Sequence, residues 1–149
     1  MKLYGYFRSS AAYRVRIALN LKGIAWESVP VELRAPASAQ RSAAFLALNP
    51  QGLVPVLVDG ERTIPQSLAI IEYLDETRPD PPLLPAAPAA RAEVRALALA
   101  IACDVHPLNN TRVLAYLRSP LRQDEAAVTA WVRHWIGCGF AALEERVQR

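Results

Sequence analysis

The chain has 149 residues, of which 52% are hydrophobic and 21% charged, and its formal net charge is +3. That length supports one domain, or one small domain and part of another, with the composition of an ordinary soluble globular protein. No apolar run approaches the ~18 residues of a membrane span, and no run of Lys and Arg interleaved with aromatics suggests nucleic acid. Cys103 and Cys138 are far apart with no paired spacing, so neither a disulfide framework nor a metal site is expected, and a reducing cytoplasm fits best. The first acidic residue is Glu27. Lys2, Arg8, Arg14, Arg16 and Lys22 therefore leave the amino-terminal segment purely basic, as in a mitochondrial transit peptide. That reading is rejected because the segment starts with a strand pattern; a basic mouth suits small anionic molecules.

Residues 3–7 are short, aromatic and nearly uncharged, which predicts a buried strand. The apolar period then changes. Ser9 and Ser10 stand at a turn where hydroxyls can cap free N–H groups, and Val15, Ala18, Leu19 and Lys22 follow at helical spacing with Gly23 as a stop. Such a hydroxyl-bearing helix N-terminus attracts an anion, which can be a phosphate, a carboxylate or a thiolate. Residues 25–33 have strand composition, and Pro30 predicts an edge position. A strand, a helix and a strand in this order predict a right-handed crossover with parallel strands. Residues 34–42 read as a mobile loop that includes Gln40.

A short helix is predicted over 42–48, followed by a hairpin over 54–64 with an Asp-Gly turn. Pro55 at the start of its first strand cannot donate to a ladder. Gln66 and Ser67 open a helix over 68–77, with Ser67 as its cap and Leu68, Ile71 and Leu74 on one face. Five prolines between 79 and 88 mark a linker. A long helix over 89–117 must be kinked or interrupted by Pro107, beside the polar step that holds His106, Asn109, Asn110, Thr111 and Arg112. A further helix over 124–147 carries a wide apolar face with Val128, Trp131, Val132, Trp135, Ile136, Phe140, Leu143 and Val147, and Cys138 reads as core packing.

Three stretches, Phe7-Arg8-Ser9-Ser10 with Arg14-Val15-Arg16-Ile17-Ala18-Leu19, then residues 47–57, then residues 66–74, resemble in order and separation the zeta class of glutathione transferases, the class that includes maleylacetoacetate isomerase. The resemblance implies an α/β thioredoxin-like domain over 1–80, a Pro-rich linker over 81–88 and an incomplete all-α domain over 89–149. It also implies glutathione as cofactor. Ser9 and Ser10 would face its thiolate, Gln40 would contact it, Val54 before a cis Pro55 would pair with its cysteinyl part, and Gln66 with Ser67 would hold its γ-glutamyl end. Bacterial members place His106 and Asn110 at the glutathione and substrate site; Arg8 and Arg112 suit the carboxylates of a small dicarboxylate substrate.

The implied activity is a glutathione-dependent cis-trans isomerisation of maleylacetoacetate in tyrosine and phenylalanine breakdown. Arg8 and His106 would assist it beside the two serines. The alternatives are maleylpyruvate isomerase, a glutathione transferase for small acids, or a glutathione-binding module without turnover. Ala11 stands where many members have cysteine, which also argues against a thioredoxin-like redox protein. The family's chain continues past Arg149 with several helices, one of which supplies an arginine to the substrate carboxylate. The chain is therefore expected to be a fragment, a truncated gene product or a self-completing dimer, and its exposed apolar faces should drive association into a homodimer.

Overall fold

The computed structural model describes residues 1–34 and 36–148; of the loop expected over 34–42, Ala35 lies outside the described residues. The chain divides into two compact units, Met1–Leu84 and Pro85–Arg149.

In the first unit β1 (Lys2–Gly5), α1 (Ser10–Leu21), β2 (Glu27–Pro30), α2 (Ala43–Leu48), β3 (Val56–Asp59), β4 (Arg62–Pro65) and α3 (Ser67–Thr77) follow one another. The four strands lie in the order β2-β1-β3-β4. β1 pairs with β2 in parallel and with β3 antiparallel, and β3 pairs with β4 through the Asp59-Gly60 hairpin. Pro30 thus sits on an edge strand, where its missing N–H does not break an interior ladder.

Because side chains alternate across a strand, neighbouring residues feed opposite faces. Leu3 and Leu57 join Val15, Leu19, Ile70 and Leu74 in one core under α1 and α3. Val56 instead meets Val31 and Phe45, with Tyr4 packed beside them, in a second core under α2. α1 approaches the sheet closely at Gly5, where an added Cβ would stand 3.2 Å from the Ala12 methyl. In α3 the residues buried deepest are Ile70 and Leu74, on the same side as Ser67. Leu68 and Ile71 are half-buried: with Leu68, Ile70, Ile71 and Leu74 among seven positions, spacing alone admits two neighbouring faces, and the sheet selects the one centred on Ile70.

The C-terminal ends of α1 and α3 are locked. The Lys22 side chain is wholly buried and its Nζ lies 2.7 Å from Asp75 Oδ1. It also donates to the carbonyls of Arg78 and Pro81, at 2.7 and 2.8 Å. Asp75 in turn accepts the N–H of Leu83 at 2.8 Å. Burial drives the Asp75 carboxyl upward, but the Lys22 ammonium and the N–H groups of Leu83 and Leu84 outweigh it and hold the pKa below the ordinary carboxylate value.

The second unit contains α4 (Pro88–Leu99), α5 (Thr111–Arg118) and α6 (Glu125–Val147). The long helix expected over 89–117 is interrupted instead of kinked. Residues 100–105 form a widened helical stretch, residues 107–109 a tight turn, and α5 starts afresh. A proline without an N–H forces the interruption, and Asn110 then caps the new helix by accepting the N–H of Arg112 at 3.1 Å. α6 is capped by Asp124 and packs on the break: the Trp131 indole donates to the Leu108 carbonyl at 2.8 Å, and a side chain at Gly139 would collide with Val105. Farther along, Ile136, Phe140 and Val147 are exposed. So is Cys138, contrary to the expectation of core packing: it returns to nearly the same side of α6 as Trp131 two turns farther along, and the described residues leave it open there. No helix among the described residues is long and apolar enough to cross a membrane.

Candidate functional site

Ser9 is the N-cap of α1: its backbone is extended and its Oγ accepts the Ala12 N–H at 3.2 Å. That bond uses an oxygen lone pair and leaves the hydroxyl proton to be given to a third group. The first turn of α1 contains no acidic side chain, so no carboxylate of the helix itself neutralises the positive end of its dipole. Such a helix end favours an anion. Ser10 is the first helical residue and is exposed, as is Arg8 just before it. Arg16 braces this turn from within the helix, donating to the Phe7 carbonyl at 3.1 Å and lying 5.2 Å above the Tyr13 ring.

At the start of α3 the geometry corrects one expectation. Gln66, not Ser67, occupies the cap position, and Ser67 is the first helical residue. Gln66 has φ +69, a left-handed value uncommon for a residue with a side chain and found disproportionately at ligand clamps. Its amide donates to Gln51 Oε1 at 3.1 Å. The Ser67 hydroxyl, freed from capping, accepts from Nη1 of Arg14 at 3.4 Å. Arg14 is about half-buried, and that burial lowers its pKa. Its neighbour Ser67 is buried.

The segment between α2 and β3 joins these pieces. Val54–Pro55 is a cis peptide, as the resemblance implies, and the ladder of β3 begins only at Val56, so Val54 lies beyond the sheet's end. Asn49, which sequence reasoning passed over, organises this turn. It is 3% exposed, donates to the Leu53 carbonyl at 2.8 Å and accepts the Gln51 N–H at 3.1 Å. The only hint was its place in an Asn-Pro-Gln-Gly run, a turn signature. Gly52 follows with φ +62, and a Cβ there would come within 3.0 Å of the Gln40 carbonyl, so the turn around Gln40 lies directly against it. Gln40 stands in a tight helical turn, Ala39–Arg41, where its Nε2 donates to the Leu33 carbonyl at 3.2 Å. The Leu33 carbonyl fixes the amide orientation, since an oxygen facing it would be repelled. Gln40 Oε1 is then left buried without a partner among the described residues.

In the first unit Ser9, Ser10, Val54, Gln66 and Ser67 thus lie at the starts of α1, β3 and α3, and Gln40 lies in the turn before α2. His106, Asn110 and Arg112 belong to the second unit. The His106 N–H closes the widened stretch on the Ile101 carbonyl at 2.8 Å, and its own carbonyl accepts from Asn109 at 3.1 Å. Asn110 Oδ1 is engaged in capping α5. Its neighbour Asn109 donates to the Val105 carbonyl at 3.0 Å while its Oδ1 stays buried without a partner among the described residues. Arg112 is exposed. Among the described residues no group of His, Cys, Asp and Glu is placed to hold a metal ion.

Residues 3–82 match the family model described as the glutathione S-transferase N-terminal domain. The chain is 55% identical over 146 residues to a probable maleylacetoacetate isomerase of Vibrio cholerae, a match covering 98% of this chain and 68% of that protein. The holo structure of maleylpyruvate isomerase, a bacterial zeta-class glutathione S-transferase, superposes with a TM-score of 0.91 at 51% identity, covering 95% of this chain and 66% of that one. Maleylacetoacetate isomerase of Methylobacterium extorquens AM1, solved with bound malonate and glutathione, superposes with a TM-score of 0.95 at 47% identity, covering 100% of this chain and 69% of that one. The chain thus spans about two thirds of the length of these relatives. With a family model over more than half of its residues and these relatives over nearly all of them, the chain belongs to the glutathione S-transferase family, in its zeta class.

Proposed function

We propose that the protein is a glutathione-dependent cis-trans isomerase acting on maleylacetoacetate. The observation that carries this reading is Ser9: its oxygen is engaged by the Ala12 N–H, so its proton is the part left to donate, at a helix end without an acidic residue. A thiolate placed there gains a charge-assisted hydrogen bond and the helix dipole. When bound, glutathione supplies the nucleophile that adds reversibly to the conjugated cis alkene and leaves again after rotation.

The chain's own tasks are to bind, orient and stabilise. Ser10 stands beside Ser9 as a second hydroxyl. Gln66 and Ser67 receive the γ-glutamyl carboxylate, the backbone of Val54 beyond the end of the ladder pairs with the cysteinyl part, and Gln40 contacts the bound peptide. Arg8, exposed on the turn before α1, suits a substrate carboxylate or the charge that develops on the conjugated oxygen. His106 is assigned proton transfer or carbonyl polarisation; Asn110 and Arg112 are assigned glutathione contact and a second substrate charge. The reading carries with it a cytoplasmic homodimer in aromatic amino-acid breakdown.

Maleylpyruvate is the second reading, favoured by the 51% identity to a maleylpyruvate isomerase. Isomerisation of both substrates by the purified chain, with and without glutathione, tests the proposal. Turnover of maleylacetoacetate that requires glutathione supports it, and a higher kcat/KM on maleylpyruvate transfers it to the second substrate. Glutathione binding with no turnover on either reduces the protein to a binding module.

A further inference from the structure

His106 stands at the interruption between α4 and α5, after the widened helical stretch and before the tight turn that begins with Pro107. A broken helix leaves carbonyls without their regular donors. The carbonyl of Leu108 is met by the Trp131 indole at 2.8 Å, a donor that comes from α6, 23 positions away. The indole is itself held: its ring lies edge-on to Trp135 at 5.7 Å, and Trp135 lies edge-on to His134 at 4.9 Å. On the other side of His106, Val105 is buried where α6 has no side chain, since a Cβ at Gly139 would collide with it. α6 thus grips the interruption at two points, one residue before His106 and two residues after it.

Resting on the reading in which His106 transfers a proton or polarises the carbonyl, we infer that Trp131 is a positioning residue for the isomerisation: its N–H fixes the Leu108 carbonyl and, through the turn, the place of the His106 ring. A ring that moves a proton must be held within about 0.5 Å of its productive position. The turn has few backbone bonds with which to do so. The His106 carbonyl accepts from Asn109 at 3.1 Å, and the Asn110 N–H reaches the Pro107 carbonyl at 3.4 Å. A directional bond from a 23-residue helix supplies the constraint that the turn lacks. Packing of α6 on the turn would be served by phenylalanine at position 131; the indole N–H adds the direction.

The test is a double-mutant cycle on glutathione-dependent isomerisation of maleylacetoacetate by the full chain, with Trp131→Phe, His106→Gln and the two together. His106→Gln should slow kcat by about 100-fold. Trp131→Phe should slow it by about 10-fold, with KM and glutathione affinity within about twofold of wild type. Added to His106→Gln, Trp131→Phe should cost less than about twofold, because no ring remains to be placed. A purely structural role lowers kcat by the same factor in both backgrounds, and that result overturns the inference, as does a wild-type kcat in Trp131→Phe. Should Trp131→Phe not fold, a tryptophan analogue with sulfur in place of the ring N–H, incorporated at position 131, is read in the same way. An unchanged rate in His106→Gln, or no turnover by the wild-type chain, overturns the underlying reading instead, and the inference with it.

Discussion

The two ends of the α1–α3 pair are built from similar residues and left in opposite states. At the C-terminal end a Lys on α1 meets an Asp on α3, two carbonyls and no solvent. At the N-terminal end an Arg on α1 meets, among the described residues, the hydroxyl of a serine on α3, and the nearby cap serine keeps its proton to give. Complete satisfaction makes a buried charge a structural lock, because removing one partner strands the others. Incomplete satisfaction suits the opposite end to the anion that the proposed function places there, because its donors would gain from an anion what the closed end already has.

The largest expected effect follows from the closed end. Lys22→Met strands Asp75 and two carbonyls, and should lower the stability of the chain by about 3–5 kcal/mol in urea unfolding, with glutathione affinity retained at a temperature where the variant is folded. Loss of affinity without loss of stability would erase the distinction between the ends. Ser9→Gly sharpens the other half. Glycine is nearly as good a cap as serine, so stability should fall by only a few tenths of a kcal/mol, whereas isomerisation should slow by about 10- to 100-fold through loss of a charge-assisted hydrogen bond. A rate within twofold of wild type would remove Ser9 from the chemistry.

The acid response offers a smaller effect. The folded Asp75 pKa lies below its unfolded value, so its contribution is present in full above about pH 4 and is lost as the pH falls through the lowered folded value. Asp75→Asn should therefore flatten the decline of stability below pH 4; a parallel decline in both proteins would show that the pair contributes no linkage.

Much of the fold was legible because it rests on spacing and turn chemistry; of the closed end only the place of Lys22 was. Lys22 shares the period of Val15, Ala18 and Leu19, and that period buries it. Pro30 and Gly60 mark an edge and a hairpin that the structure contains. The open end was legible only in part. Ser9 is a cap from its position alone, but the displacement of Ser67 from capping depends on the left-handed Gln66, which nothing in a Gln-Ser pair reveals. Arg14 counted in the sequence only as one of five basic residues, and its hydrogen bond depends on a partner 53 positions away. Asn109 and Asn110 could not be ranked, since which of two adjacent asparagines caps α5 is decided by where the interruption at Pro107 ends.

The central claim is that the open end of the pair stabilises a thiolate, and ultraviolet titration of the thiol of glutathione bound to the chain tests it most directly. The account predicts an apparent pKa well below the ordinary thiol value near 8.5 in the wild-type chain, returning toward it in Ser9→Gly. A bound thiol that titrates at its ordinary value in the wild-type protein would contradict it.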